Sequence, residues 1–191
     1  MALEYQRYGR NKDTLVNKTY IDSGEYKRKF DSLSDNNEVN KILYIKAKEV
    51  LKHRSGTNLE DMFWIDGETG TVVAQEITQT IEKKVIYSKS TERAVKNHAE
   101  GKLITIHNHP SSMPPSIDDF NSCYRNKYAV SYVLCHNGCV YGYKSEQLIS
   151  PMLYDAYVGA GMRDGLSEFD AQINAIHKLC TNHMISFWEV Y

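Results

Sequence analysis

The sequence predicts an α+β fold in which a mixed central β-sheet is flanked by helices, with extra helices near the C-terminal end. Three observations lead to this prediction. Apolar residues recur at helical spacing in residues 38–53, and two short β-type runs follow them. A β-branched run at residues 103–107 lies between two helical patterns. Asn137-Gly138, a strong hairpin-turn signal, joins two further strands, after which helical periodicity returns.

The first half of the chain predicts one long helix and a pair of strands. The helix covers residues 38–53 behind caps at residues 35–36, and its periodic apolar positions are Val39, Ile42, Leu43, Ala47, Val50 and Leu51. A strand over residues 60–65 then turns into a second strand over residues 71–77.

The middle of the chain predicts a helix, a buried strand and a second helix. Ser90 or Thr91 caps the first helix, which runs to about Glu100. The strand over residues 103–107 follows, and the second helix begins near Ser116.

A hairpin and a helical region complete the prediction. The hairpin strands cover residues 128–135 and 139–143, and Ser150-Pro151 starts the helical region. A final amphipathic helix is predicted from Phe169, Ile173, Ile176, Cys180, Met184 and Phe187. We therefore expect a loosely packed N-terminal extension over residues 1–36, a central domain over residues 37–148 and a C-terminal helical region over residues 149–191.

Composition limits the classes of partner. The 23 basic and 24 acidic residues give a formal net charge of −1, so no long-range field attracts nucleic acid or an anionic membrane. The basic residues 27–29 are interpreted as a solvated face. The chain shows no signal peptide and no apolar stretch of bilayer length, which predicts a cytoplasmic protein. Cys135 and Cys139 lack the usual zinc spacing and are interpreted as ordinary cysteines beside a turn.

The segment from His107 to Asp119 carries the candidate chemistry. Alternate strand residues share a face, so His107 and His109 project the same way. Pro110 ends the strand, and the helix that starts near Ser116 presents Asp119 in its first turn. Two imidazoles and one carboxylate form a known catalytic zinc set, which leaves the fourth position open for water. Zinc lowers the pKa of that water toward 7, which favours attack on a carbonyl.

Each part of this segment also has a simpler interpretation. A His-x-His pair at a strand end is sometimes only a hydrogen-bonded surface pair. Ser116 and Asp119 have the spacing of a helix capping box. The two interpretations of Ser116 and Asp119 are compatible, because a capped helix start is a rigid place to hold a ligand.

The segment resembles the JAMM motif of MPN-type metallopeptidases, Glu…His-x-His-Pro…Ser-x-x-Asp. Its amino-acid sequence is most similar to the RadC-like and phage or mobile-element-associated bacterial branch of that family. The resemblance covers roughly residues 38–145. It implies a cytidine-deaminase-like, MPN-type fold and a zinc-dependent hydrolase of peptide or isopeptide amide bonds. The implied substrates are proteins or peptides, such as ubiquitin-like or phage proteins.

The same resemblance implies a role for individual residues. His107, His109 and Asp119 would bind zinc, and Ser116 would hydrogen-bond the polarised carbonyl oxygen or the water. A glutamate from an upstream strand would act as general base, accepting a proton and delivering it to the leaving amine. Glu60 is the preferred candidate because it follows the first helix and opens the next strand, and Glu76 is the alternative.

One spacing departs from the family pattern. Family members usually have seven residues between the second histidine and the serine, whereas this chain has six, residues 110–115. A shortened loop that moved the helix start would make Asp118 the carboxylate ligand in place of Asp119. We expect Asp119, because Ser116 and Asp119 keep the family's internal spacing.

Two other classes of function compete with hydrolysis. RadC-like relatives have been described as DNA-processing proteins, but the low net charge disfavours strong duplex binding. His107-Asn108-His109 is not an HNH nuclease motif, since that motif spreads its residues over a ββα unit. A non-catalytic MPN-type scaffold is the third class, although such scaffolds usually lack the ligand set. The remaining helical histidines have no partner at ligand spacing and are not predicted ligands: His53, His98, His177 and His183.

Overall fold

A six-stranded mixed sheet forms the centre of the chain in a computed structural model that describes residues 12–191. Its strands are β1 Met62–Asp66, β2 Val72–Glu76, β3 Leu103–His109, β4 Val130–Cys135, β5 Val140–Ser145 and β6 Ile185–Glu189. Their order is β2-β1-β3-β4-β5-β6, and only the β3–β4 pair is parallel among these neighbours. The prediction of an α+β fold with a mixed central sheet is confirmed.

Helices cover both faces of this sheet. They are α1 Lys18–Ile21, α2 Gly24–Arg28, α3 Asn37–Arg54, α4 Lys89–Asn97, α5 Ile117–Arg125, α6 Pro151–Arg163 and α7 Glu168–Thr181, preceded by a 3-10 turn at Lys12–Thr14. Helix α3 packs on one face, together with α1 and α2. Helices α4 to α7 contribute their buried residues to the other face. No helix in the described range is long and apolar enough to cross a membrane.

Strand alternation produces two hydrophobic cores. In β1, Phe63 and Ile65 belong to the core under α3, whereas Met62 and Trp64 belong to the opposite core. Each fully buried side chain of this size contributes roughly 1.5–3 kcal/mol relative to exposure. The central strand β3 is buried along its whole length, which gives the residues at its end a rigid support.

The parallel pair β3 and β4 is joined by α5. A parallel connection must cross from one end of the sheet to the other, and here α5 makes that crossing over one face. The start of α5 therefore lies near the carboxyl end of β3. This brings residues 107–109 and the first turn of α5 to the same edge of the sheet.

Most predicted element boundaries lie within a few residues of the observed ones. Asn36 caps α3, Pro151 occupies the start of α6, and Gly138 has a φ of +94° in the hairpin turn. The predicted N-cap of α4 is wrong. Ser88, not Ser90 or Thr91, caps this helix, which ends at Asn97.

The N-terminal segment is not loosely packed where the structure describes it. Ile21, Tyr26 and Phe30 are each at most 1% exposed and belong to the core under α3. The ring of Tyr26 packs edge-on against Phe30, with 5.3 Å between ring centroids. The prediction of loose packing is therefore wrong for residues 12–36, and residues 1–11 lie outside the described range.

The C-terminal region is not only helical. Helix α7 ends at Thr181, and Phe187 lies in β6, which pairs with β5. Gly142 of β5 makes this pairing fit, because a Cβ at that position would lie 2.3 Å from the ring of Trp188. The helical prediction for Met184 and Phe187 is therefore wrong: their helical spacing coincides with the start of an aromatic-rich strand.

Candidate metal centre

His107 and His109 lie side by side at the end of β3. Their Nε2 atoms are 3.0 Å apart, and their ring centroids are 4.9 Å apart. Both residues are buried, at 3% and 8% exposure. The predicted shared face is therefore observed, and it directs two imidazole nitrogens to one point.

Asp119 closes the group from the first turn of α5. Its Oδ1 lies 3.3 Å from Nε2 of His107, and its Oδ2 lies 3.4 Å from Nε2 of His109. The six-residue connection over residues 110–115 thus delivers Asp119 to the histidines, while Asp118 is exposed on the wall of the cavity described below.

Ser116 holds Asp119 in place through a capping box. The Ser116 hydroxyl donates to Asp119 Oδ2 at 2.7 Å, and the Asp119 amide donates to Ser116 Oγ at 3.2 Å. The Ser116 amide also donates to Asp119 Oδ2, at 2.7 Å. The capping interpretation of this pair is confirmed, and the hydroxyl proton of Ser116 is directed to Asp119.

The three side chains fit a small tetrahedral cation. Zinc–nitrogen distances of 2.0–2.1 Å place two ligands of a tetrahedral ion about 3.3 Å apart. The two histidine nitrogens are 3.0 Å apart, and each lies 3.3–3.4 Å from a different oxygen of the Asp119 carboxylate, which is close to this value. One ligand atom from each of the three residues lies within 4.8 Å of the others.

The second nitrogen of each imidazole has a different environment. His109 Nδ1 lies 2.9 Å from the Met113 carbonyl, which can only accept, so Nδ1 carries a proton and Nε2 is the nitrogen whose lone pair a metal would take in the neutral ring. His107 Nδ1 is buried and has no hydrogen-bond partner among the described residues. The His107 ring is therefore fixed by packing and by its contacts at Nε2.

The electrostatics of the group show strong coupling. Burial disfavours the charged forms of His109 and Asp119. The hydrogen bond and the charge of Asp119 nevertheless raise the pKa of His109 to about 9. Likewise, burial alone would raise the pKa of Asp119, but the charges and hydrogen bonds of His107 and His109 hold it well below its ordinary value. Metal binding requires a neutral imidazole, so a cation would compete with the proton on His109.

Glu60 reaches the same site, whereas Glu76 does not. Glu60 precedes β1 and is 8% exposed; it lines a cavity of about 560 Å³ together with His107 and His109. Burial raises the pKa of its carboxyl group, and the two histidines oppose that effect. Glu76 is not among the lining residues, and its carboxylate accepts from the Ser88 amide at 2.7 Å. That bond ties Glu76 to the start of α4.

The cavity walls contain residues that the sequence analysis missed. Tyr87 and Tyr128 line the cavity with their hydroxyls 3.4 Å apart, and the buried Trp64, behind the wall, donates from Nε1 to the Tyr128 hydroxyl at 2.8 Å. Lys83 and Arg125 add positive charge to the lining. Tyr87 and Lys83 come from the irregular segment between β2 and α4, so no periodic pattern indicates that they line the cavity.

The other histidines lie elsewhere. Four histidines lie in sequence segments with helical periodicity and were not predicted to be ligands. None of them lines the cavity: His53, His98, His177 and His183. A further buried histidine, His136, follows β4 and was not singled out by the sequence. The free thiols of Cys135 and Cys139 flank the hairpin turn, and the Cys135 amide donates to the Cys139 carbonyl.

Comparisons of the chain with protein-family models, with curated proteins and with solved structures give no match.

Proposed function

We propose that the protein is a zinc-dependent hydrolase of the JAMM type, with an MPN-type fold, that cleaves a peptide or isopeptide amide bond. The observation that carries the proposal is the convergence of His107, His109 and Asp119 on one point, with Glu60 on the wall of the same cavity. Two imidazoles, one carboxylate and a nearby glutamate make up the working parts of a known class of zinc peptidase.

In this proposal the protein holds the metal through His107 Nε2, His109 Nε2 and the Asp119 carboxylate. When bound, zinc polarises a carbonyl and lowers the pKa of a water toward 7. Met113 fixes the tautomer of His109, and Ser116 orients Asp119. Partners of this kind, one step removed from a metal, commonly contribute 10–100-fold to affinity or activity.

Glu60 is the proposed general base. Its carboxylate accepts a proton at the start of the reaction and donates it to the leaving amine. The burial that raises its pKa makes the Glu60 carboxylate a stronger base than an exposed glutamate, which favours proton acceptance. Glu76 is unsuited to this role because the Ser88 amide and the Gln79 side chain already hydrogen-bond its carboxylate.

Ser116 is proposed to serve the site in two ways. It holds Asp119, and it also lines the cavity, where we propose that its hydroxyl serves a substrate carbonyl. A hydrogen bond to that carbonyl requires the hydroxyl proton to turn from Asp119 toward the cavity. In this proposal the Ser116 hydroxyl donates to Asp119 when the cavity is empty and to the substrate carbonyl when one is bound.

A protein or peptide is the proposed substrate, and ubiquitin-like and phage proteins are the candidates that the JAMM resemblance implies. A cavity of about 560 Å³ is within the usual range for ligand sites and accommodates a short stretch of chain. The four cysteines are free thiols. The reducing cytoplasm maintains that state, and we propose the cytoplasm as the compartment.

Zinc content is the first test of this function. Mass spectrometry of the purified chain should find about one zinc per wild-type molecule and almost none in the His107→Ala/His109→Ala variant. The matched control is His177→Ala/His183→Ala, which also removes two imidazoles, both exposed and away from the cavity. A folded wild-type chain that stays empty when zinc is offered would refute the hydrolase proposal and favour a binding scaffold.

Peptide hydrolysis is the second test. Glu60→Gln should retain zinc but lose cleavage of a fluorescence-quenched peptide library, whereas Glu76→Gln should retain both. Equal cleavage by wild type and Glu60→Gln would exclude Glu60 as the base.

A further inference from the structure

Asn108 lies between the two histidines but on the opposite face of the sheet, since successive strand residues alternate. The backbone pairing of β1 with β3 ends where Met62 lies opposite His107. Beyond that point the side chain of Asn108 takes over the pairing with the segment that carries Glu60. Asn108 is 0% exposed, so water does not compete for these contacts.

The Asn108 amide contacts the main chain on both sides of Glu60. Its Oδ1 accepts from the Asp61 amide at 2.8 Å, and its Nδ2 donates to the Leu59 carbonyl at 3.1 Å. A backbone N–H can only donate and a carbonyl can only accept, so the orientation of the Asn108 amide is determined.

His136 fixes the remaining proton of this amide. Asn108 Nδ2 lies 2.9 Å from His136 Nε2, and His136 Nδ1 lies 2.6 Å from the Thr14 carbonyl. Because the carbonyl only accepts, Nδ1 carries the hydrogen and Nε2 accepts from Asn108. The chain of hydrogen bonds thus runs from Thr14 through His136 to Asn108.

The carboxylate of Glu60 has no comparable restraint of its own. Among the described residues, no group hydrogen-bonds to it. Its position in the cavity is therefore set by the backbone that carries it, and Asn108 holds that backbone on both sides. Small displacements of a catalytic group have large kinetic costs, because the reacting geometry must be held closely.

We infer that Asn108 is a positioning residue that holds Glu60 at the metal centre through the Leu59 carbonyl and the Asp61 amide. The functional part of this inference rests on the proposed role of Glu60 as general base. The structural part, that Asn108 determines where the Glu60 carboxylate lies, is independent of that role and is measurable without substrate or metal.

The key variant is Asn108→Ala, and Asn40→Ala is its matched control. Asn40 is also buried, and it likewise accepts from one amide, that of Ser34, and donates to two groups, the Asp31 and Ser34 carbonyls. It lies in the first turn of α3, away from the cavity. Asn108→Asp is the second variant, because it keeps an acceptor for the Asp61 amide if Asn108→Ala fails to fold.

The direct readout is the side-chain carboxyl ¹³C resonance of Glu60 in the full chain labelled with [¹³C]glutamate. Its assignment follows from its loss in Glu60→Gln. In the wild type we expect it apart from the exposed glutamates, with a further shift when zinc is added. In Asn108→Ala it should move toward the exposed glutamates, and its response to zinc should fall at least about twofold. Asn40→Ala should match the wild type, and Asn108→Asp should lie between the two.

Kinetics supply the functional readout. For a fluorescence-quenched peptide that the wild type cleaves, Asn108→Ala should lower kcat about 10- to 100-fold while KM and the zinc content stay unchanged. A loss of zinc, or an equal loss of kcat in Asn40→Ala, would mean a general structural role and overturn the inference.

The two proposals fail in different ways. A wild-type chain without zinc uptake and without cleavage refutes the proposed function, while the metal-free spectra still decide on the position of Glu60. An unchanged Glu60 resonance in folded Asn108→Ala or Asn108→Asp overturns the positioning role, whatever the zinc content.

Discussion

At the carboxyl end of β3, the side of the sheet that faces α3 holds Asp61 and Arg54, whereas the opposite side holds His107, His109 and Asp119. Both groups are polar and largely buried. Asp61 accepts hydrogen bonds from the Arg54 guanidinium and lies 2.6 Å from His53 Nδ1, and Arg54 Nη2 also donates to the Ile77 carbonyl at 2.9 Å. We refer to Asp61, Arg54 and His53 as the closed cluster.

The other side, the metal-site cluster of His107, His109 and Asp119, is organised differently. Two imidazole nitrogens face each other at 3.0 Å, and His107 Nδ1 has no partner among the described residues. In the closed cluster the Arg54 guanidinium donates to the Asp61 carboxylate, whereas the metal-site cluster brings three potential metal ligands together around one point. Both clusters are buried, so burial does not separate them; the convergence of ligand atoms on one point does.

Opening the closed cluster should have the largest effect on stability. Asp61→Ala leaves the buried Arg54 guanidinium without its partner, and we expect the free energy of unfolding to fall by about 3–5 kcal/mol. Urea denaturation of the metal-free chain measures this loss. Asp22→Ala breaks an exposed ion pair with Lys52 and should lower the free energy of unfolding far less, because solvent screens that pair. Equal losses in the two variants would contradict the structural role of the closed cluster.

Filling the metal-site cluster should have the next largest effect. If only the folded chain binds zinc, a free concentration one hundred times the dissociation constant stabilises it by about 2.7 kcal/mol. The thermal midpoint of the wild type should therefore rise with zinc and fall again with a chelator. Asp119→Ala, which lacks one proposed ligand, should show little change. A zinc-dependent rise in Asp119→Ala equal to that of the wild type would place the metal elsewhere.

The pH should act on the metal-site cluster in the direction set by His109. Its pKa rises from 6.5 to about 9 in the metal-free chain, so the stabilisation from protonated His109 is complete below pH 6.5 and is lost as the pH rises to about 9. Zinc competes with that proton. Apparent zinc affinity should therefore increase about tenfold per pH unit between 6.5 and 9. Calorimetry in buffers of different ionisation enthalpy should detect the released proton, and a flat affinity profile would contradict the coupling.

Loosening the support of the metal-site cluster should have the smallest effect on stability. Ser116→Ala removes the N-cap of α5 and should cost about 1 kcal/mol in urea denaturation. Because Ser116 also orients Asp119, zinc affinity should fall about tenfold or more. Ser167→Ala is the matched control, since Ser167 caps α7 with the same contact to an aspartate, Asp170. Loss of stability without loss of zinc affinity would limit Ser116 to helix capping.

The local parts of this site were predictable from sequence. Strand alternation places His107 and His109 on one face, and the Ser116–Asp119 spacing predicts the capped start of α5. Both features depend on residues within a few positions of one another, where backbone geometry leaves few alternatives.

The non-local parts were harder to predict. Glu60 and Glu76 were both candidates, and what separates them is that Ser88 hydrogen-bonds Glu76 while Glu60 lines the cavity. Tyr87 reaches the cavity from an irregular segment, and Phe187 pairs in a strand although its spacing fits a helix. These outcomes depend on which distant segments pack together, which periodicity alone does not specify.

The three proposed ligands all lie within residues 107–119, a short segment made of a strand end, a turn and a helix start. A metal ion held there closes only a short loop, so it removes little conformational entropy from the unfolded chain. The same short spacing lets the unfolded chain keep the three ligands near one another and retain some affinity for metal. Chelation should therefore favour the folded state by less than the affinity of the native site implies.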